Sequence, residues 1–466
     1  MKRSREHPLA IPGHIPYYYL LLLLPLLRGA WYIRLPDGFP RWLRGAWFDG
    51  TVIALLFVLS AMAWIRRTYD VSQHRLRLCR GIFWTRTTLI PLQLVTTLTV
   101  ERPLWMRPFG AVRVSADTDA GNHRLADLRL TVWRQQADLF LPDAEDGMYL
   151  RVKSWRIWLL CLLSSDSFGG LLLLTAALRQ SSVILGEGIR NKVMHNLENA
   201  ADALAIIPRT AALLILILAV GWITGTVRHL LRHLPFVLCR REDTLTVYMG
   251  RLTRRIHCCA IHAVNYVDMR QTLAAYLLKM HTVYISCTGY GKDKNTLAVA
   301  IPPCRQVTAE WPLLFPHLKS CAVSLRPARG ALLRYIRMPL ILLLIVPIVG
   351  QAVGWIFPVW QELATYLSLL GLLPCLWLGA VRVVARREAG VGYHDAQVWL
   401  CYARRLSLHR VTVPREKVTA VHIRQSLWQR RRGTCDLRIY SHHEFRRPHK
   451  VQHLPYNEVK DLIKEV

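Results

Sequence analysis

The chain has 466 residues, 52% of them hydrophobic, yet carries 61 Lys and Arg against 30 Asp and Glu, a net charge of +31. Such a mixture fits together only if the two properties occupy different stretches, which excludes a disordered chain or a small disulfide scaffold and argues against a purely soluble enzyme. A strongly basic balance points to nucleic acid or to an anionic membrane surface, and the apolar stretches favour the membrane. The eleven cysteines form no C-x-x-C pair and no regular spacing, the pattern of reduced thiols facing a cytosol.

In chain order, six stretches approach the roughly 20 apolar residues that a bilayer-spanning helix needs. They are Ile15–Ile33 (with Pro25 and Arg28), Ala46–Ile65 (with Asp49 near its start), Ile157–Leu178, Thr210–Val227, Met338–Trp360 and Leu363–Val381. The N-terminal span lacks a small-x-small cleavage site and is read as a retained anchor. The connections predict three hairpins: 1–65 with its tail, 156–227 and 338–381. The middle hairpin has a longer loop with an amphipathic piece, Asn191–Ile206. Between and after the hairpins lie basic stretches at 66–155, 228–337 and 382–466. Spans two, four and six run into Arg66-Arg67, Arg228 with Arg232, and Arg382 with Arg386-Arg387. By the positive-inside rule both termini and all three polar stretches are cytoplasmic.

The three polar stretches repeat one another. Each opens on alternating residues: Leu76-Arg77-Leu78, Leu245-Thr246-Val247 and Val398-Trp399-Leu400. A small turn residue follows (Gly81, Gly250, Ala403), then a basic strand ending at Val95, Val264 and Val418. Pro91 and Pro414 precede that valine in repeats one and three, and Ala260 takes their place in repeat two. Past the valine come Arg270-Gln271-Thr272-Leu273 and Arg424-Gln425-Ser426-Leu427, with the degraded Glu101-Arg102-Pro103-Leu104 in repeat one. Further strands include Val112–Val114, Val283–Ile285 and Leu437–Ile439, and Leu141-Pro142, Ile301-Pro302 and Leu454-Pro455 close each set before a helical pattern. The unit is a membrane hairpin followed by a small β-rich module. Short strands at regular spacing closed by one helix predict a curved sheet or barrel with a C-terminal helix.

This hairpin–strand–Gly–strand–Ile-Pro–Val–Arg-Gln-x-Leu order resembles the bacterial pleckstrin-homology-like (bPH2) membrane proteins in their long, three-module form. The resemblance implies a pleckstrin-homology-like fold for each module, a bacterial plasma-membrane location, a complex with a shorter single-module relative, and no established catalysis. Together the readings predict a multi-pass α-helical membrane protein with six spans and three cytoplasmic modules.

No P-loop, H-E-x-x-H, G-x-S-x-G or dinucleotide fingerprint is present, so a non-enzymatic protein without cofactor is expected. His442, His443, His449 and His453 read as surface histidines rather than a metal site. Cys258 and Cys259 point to opposite faces of a strand and cannot chelate together. Arg270, Gln271, Arg424 and Gln425 are candidates for a ligand or partner site. The competing reading, preferred here, has them hold a loop while the leucine anchors it. Arg430-Arg431-Arg432 sit where a tethered module would meet an anionic leaflet, each charge gaining about 1 kcal/mol. Asp166, mid-span before Gly169-Gly170, costs at least about 2.5–3.5 kcal/mol to bury and is the candidate for a functional intramembrane acid. Helix–helix packing is the plainer role for Asp166, and a structural ion pair is the plainer role for Asp49 with Arg28. The leading function is a scaffold for lipid headgroups or protein partners, with no nucleic acid. The alternative is a transporter or lipid-handling protein with Asp166 in its path.

Overall fold

The computed structural model describes residues 4–11, 38–72, 75–81, 84–118, 126–140, 148–164, 195, 209–241, 243–287, 296–301, 323–442 and 448–465. The first expected span, Arg28, Asp166, the Asn191–Ile206 piece apart from His195, Leu141-Pro142, Pro302 and His443 lie outside them. Asp49 lies in a described helix, but its side chain does not.

Twenty strands are described. In repeat one they are β1 (Ser4–Arg5), β2 (Thr68–Ser72), β3 (Arg75–Arg80), β4 (Arg86–Pro91), β5 (Val95–Arg102), β6 (Ala111–Thr118) and β7 (Leu128–Trp133). Repeat two has β8 (Met148–Arg151), β9 (Phe236–Arg241), β10 (Thr244–Met249), β11 (Arg254–Ala260), β12 (Val264–Thr272), β13 (His281–Cys287) and β14 (Thr296–Ile301). Repeat three has β15 (Gly390–His394), β16 (Gln397–Arg404), β17 (Ser407–Pro414), β18 (Val418–Arg424), β19 (Thr434–Ser441) and β20 (His449–Pro455). Period-two alternation is clearest in β3, where Leu76 and Leu78 are buried while Arg75 and Arg77 face out.

The helices that matter below are α1 (Gly38–Arg66), α2 (Ser154–Ser164), α3 (Arg209–His233), α4 (Leu273–Leu277), α5 (Leu332–Ile356), α6 (Gln361–Glu388), α7 (Leu427–Arg431) and α8 (Tyr456–Glu465). Three stretches are long and apolar enough to cross a membrane: Ile215–His233, Leu332–Ile356 and Pro358–Glu388. Gly50–Arg66 and Ser154–Leu163 are shorter apolar helices, so the described residues account for three of the six expected spans at full length. Helices α5 and α6 form a tight hairpin in which small residues allow close approach. A Cβ on Gly350 would stand 2.6 Å from that of Ser368.

The strands do not close into a barrel within each module. They form four open sheets: β1-β2-β3-β4, β7-β6-β5-β11-β10-β9-β8, β14-β13-β12-β17-β16-β15 and β18-β19-β20. Two of these run across module boundaries, through β5–β11 and β12–β17. The apolar cores, by contrast, are built mainly within modules, with Ile256 of module two packed against the first core and Tyr266 of module two in the third. Leu76, Leu78 and Ile90 of β3 and β4 pack with Val112, Val114 and Leu130 of β6 and β7. Leu245 and Val247 pack with Val283 and Ile285, and Val398 and Val411 with Leu437 and Ile439. Each module is therefore two half-sheets packed face to face, while its hydrogen-bonded ladders continue into its neighbours.

The corner between half-sheets explains the Pro/Ala–Val spacing. After Pro91, Ala260 and Pro414 comes one 3-10 turn (Leu92–Leu94, Ile261–Ala263, Arg415–Lys417), and Val95, Val264 and Val418 then open a strand of the next sheet. Ala260 has φ −75°, close to the −61° and −60° of the prolines, so an alanine makes the same corner. Gly81 and Gly250 have φ of +129° and +89°, where a Cβ would strike the carbonyl oxygens of Trp84 and Thr253. Repeat three differs: Ala403 is still in β16, and Arg405 at φ +54° makes the turn.

Each repeat also begins before its hairpin. The first strand of each module pairs with residues that precede the hairpin: β2 with β1, β9 with β8, and Val391 of β15 with Leu325. In repeat three the α5–α6 hairpin is thus an insertion between two neighbouring strands, and in repeats one and two the stretch expected to hold a hairpin occupies the same place. Helix α2 carries this further, its Ile157, Leu160 and Cys161 entering the second core.

Candidate functional site: a cationic cavity between hairpin and module three

The β18-β19-β20 sheet has an apolar face, with Leu437, Ile439 and Val451 in the core. Alternation sends the intervening residues to the other face. Arg424 stands opposite Asp436, His422 opposite Arg438, and Arg438 opposite Lys450. Like charges directly opposite one another destabilise a sheet, so Arg438 beside Lys450 is a departure that local stability does not explain.

The first turns of α5 and the last turns of α6 stand over this face. Tyr335 donates its hydroxyl to the Gln452 carbonyl (3.2 Å), and the Ala328 N–H donates to the His453 carbonyl (3.0 Å). The Arg334 guanidinium donates to Thr434 Oγ1 (3.4 Å) and lies 3.2 Å from His453 Nδ1. Between hairpin and sheet lies a cavity of about 780 Å³. Its lining includes Arg334, Arg337, Arg382, Arg424, Arg432, Arg438 and Lys450, with Asp436 as the sole carboxylate.

Asp436 is already engaged. Lys450 Nζ lies 3.0 Å from it, the Gln429 amide donates at 2.7 Å, and the His453 N–H at 3.2 Å. Burial pushes its carboxyl up, but these donors outweigh that and hold it below the usual carboxylate range. Burial also holds the His453 imidazole below its ordinary range, with Asp436 opposing and Arg334 and Lys450 reinforcing. Arg337, Arg382, Arg424, Arg432 and Arg438 have no carboxylate partner among the described residues. The Arg438 Nε is buried without a hydrogen-bond partner. Between Cys435 and Leu437 the register with β20 shifts, and His453 there has φ +59°. That bulge aims Asp436 and His453 at the cavity.

The Arg-Gln-x-Leu motif divides into separate roles. Gln271 donates to the Met280 carbonyl and Gln425 to the Thr434 carbonyl, equivalent bonds that tie the strand end to the start of the next strand. The residue after each glutamine caps a short helix: Thr272 accepts from the Ala275 N–H, and Ser426 makes a capping box with Gln429. Arg270 is held by Asp268 at 2.6 Å and stacks over Tyr284, and it does not line the cavity. Arg424 and Arg432 alone among the candidates line the cavity. Arg430 and Arg431 are exposed on α7, Arg431 lying over the Trp428 ring. The leucine anchors the core only in repeat two: Leu273 is 7% exposed, Leu427 80%.

Each motif region presents apolar side chains outward: Leu104, Trp105 and Phe109 in module one, Leu277 and Leu278 in module two, Leu427 and Trp428 in module three. Trp428 lines the cavity beside Met338 of α5. His449, expected on the surface, is buried, with the Tyr402 hydroxyl 2.9 Å from Nδ1. Sequence reasoning missed Arg334, Arg337 and Arg438 as site residues and read Arg382 only as a topology signal. The Arg438–Lys450 pair was a usable sign, visible once the strands are registered.

The bacterial PH domain family matches residues 20–140 and 331–466. The chain belongs to that family, and the matched residues take in most of module one and all of module three. No curated protein and no solved structure matches the chain.

Proposed function

We propose that this is a non-enzymatic membrane scaffold whose third module binds the anionic headgroup of a phospholipid in the cavity between α5, α6 and β18–β20. In this reading the hairpins cross the bacterial plasma membrane, both termini are cytoplasmic, and the modules hang at the cytoplasmic face. One observation carries it: the unpaired guanidinium groups converge where the apolar helices end and the module begins. There a phosphate can take paired N–H donors from Arg, which Lys cannot reproduce. Exposed Leu427 and Trp428 suit the headgroup level on the same side, as Trp355 and Trp360 do at the far end of the hairpin.

The test is native mass spectrometry of the full chain with phosphatidylglycerol, cardiolipin or phosphatidylcholine. Anionic lipids should remain bound and phosphatidylcholine should not. Arg438→Gln and Arg424→Lys should lower retention by about tenfold each, the range expected for one charge-assisted contact. Gln425→Ala should instead lower the melting temperature while retention persists. Equal retention of all three lipids, unchanged by the arginine variants, would sink the proposal.

A further inference from the structure

The two junctions between modules obey one rule. Glu101 of β5 faces Arg255 of β11, and Arg270 of β12 faces His409 of β17; under the repeat these are the same positions. Each junction supplies an acid from the same donor strand. Glu101 lies 3.3 Å from Arg255, and Asp268 lies 3.0 Å from His409. Among the described strands, the rule leaves β4, the repeat equivalent of β11 and β17, at the end of its sheet.

That edge has the charge and the proline that blunt lone edges, Arg86 and Pro91, but it also exposes large apolar side chains that such edges do not need. Trp84 is 88% exposed, Leu89 56% and Leu94 60%, whereas the equivalents of the two leucines, Cys258 and Ala263, are 8% and 3% exposed. Arg86 is the equivalent of Arg255 and stands opposite Arg80 across β3–β4, so the edge is basic as well as apolar. Exposed Trp and Arg on one edge are the residue types that anchor interfaces.

We propose that β4 is a docking edge for an antiparallel strand of a different polypeptide, one carrying an apolar residue opposite Leu89 and a carboxylate three residues later, opposite Arg86. Leu98 and Glu101 stand in this relation to Cys258 and Arg255 at the first internal junction. Main-chain bonds supply affinity, and these two side chains supply selectivity. A second copy of this chain fits poorly. Its matching open strand is β18, which would set Val421 opposite Leu89 but Arg424 opposite Arg86, with no acid on either strand. The inference is independent of lipid binding in module three.

A photo-crosslinking benzoylphenylalanine replacing Leu89 in the full chain, irradiated in native membranes, tests it. The crosslinked peptide, mapped by mass spectrometry, should come from another polypeptide and hold a carboxylate three residues after the linked position. Arg86→Glu should reduce the yield at least about tenfold, since like charges across an interface cost more than that. Arg86→Gln should reduce it less, and both should melt as the parent does. Crosslinks to residues 418–424 of a second copy, strengthened by Arg86→Glu, overturn the proposal. So does a crosslink indifferent to Arg86, a partner strand without the acid, or no crosslink at all.

Discussion

At the scale of single residues, the polar groups buried by this fold divide into those that hold it and those that could bind. His281 belongs to the first kind. Its Nδ1 accepts from the Gln271 amide at 2.9 Å, so the ring is held neutral. Burial, with Arg410 adding, pushes its pKa down to about 4 from 6.5. A folded pKa below the unfolded one means the unfolded chain binds the proton first. Stability is then complete above pH 6.5 and is lost as pH falls toward 4, by at most about 3 kcal/mol. Thermal melting followed by tryptophan fluorescence should fall between pH 7 and 4.5, and His281→Gln should flatten that slope. Asp268 behaves with the same sign at lower pH. Burial raises its pKa, but His409 and Arg270 outweigh this and hold the carboxylate below its ordinary value.

At the scale of elements, the corner between half-sheets is the feature best readable from the chain. Proline or alanine, one 3-10 turn and a valine recur because the first residue needs an extended backbone with φ near −65°, which proline has built in. Ala260 already has that backbone, so Ala260→Pro should stabilise module two by about 0.4–1 kcal/mol by restricting the unfolded chain. A rise in melting temperature checks it; a fall would mean that the Ala260 N–H is needed. The Arg-Gln-x-Leu motif was legible as a recurring pattern, but its four positions do different things. The glutamine pins a loop in both repeats, while the arginine is ion-paired in one and lines a cavity in the other. The difference comes from the neighbour: β12 has β17 beside it, and β18 ends its sheet.

At the scale of the whole molecule, ladders shared between modules make the modules interdependent. A fragment of residues 382–466 would expose β17 where β12 covers it and would lose Tyr266, which packs in the third core. That fragment should therefore self-associate or melt well below the full chain, and adding residues 264–287 should rescue it. Analytical ultracentrifugation decides between these outcomes; a stable monomeric fragment would show the junction to be dispensable. By itself the sequence determined the periodic strands, the apolar helices, the threefold repeat and the corners, because each is written in side chains within a few turns of chain. It expected each module to be closed on itself, and there the tertiary structure decided otherwise. Ladder hydrogen bonds are made by backbone that looks the same in every strand, so which edges join depends on charges and contacts more than a hundred residues apart. The cationic cavity was hidden for the same reason. Its arginines come from the start of α5, the end of α6, the end of α7 and two strands, β18 and β19, and only folding sets them around one space.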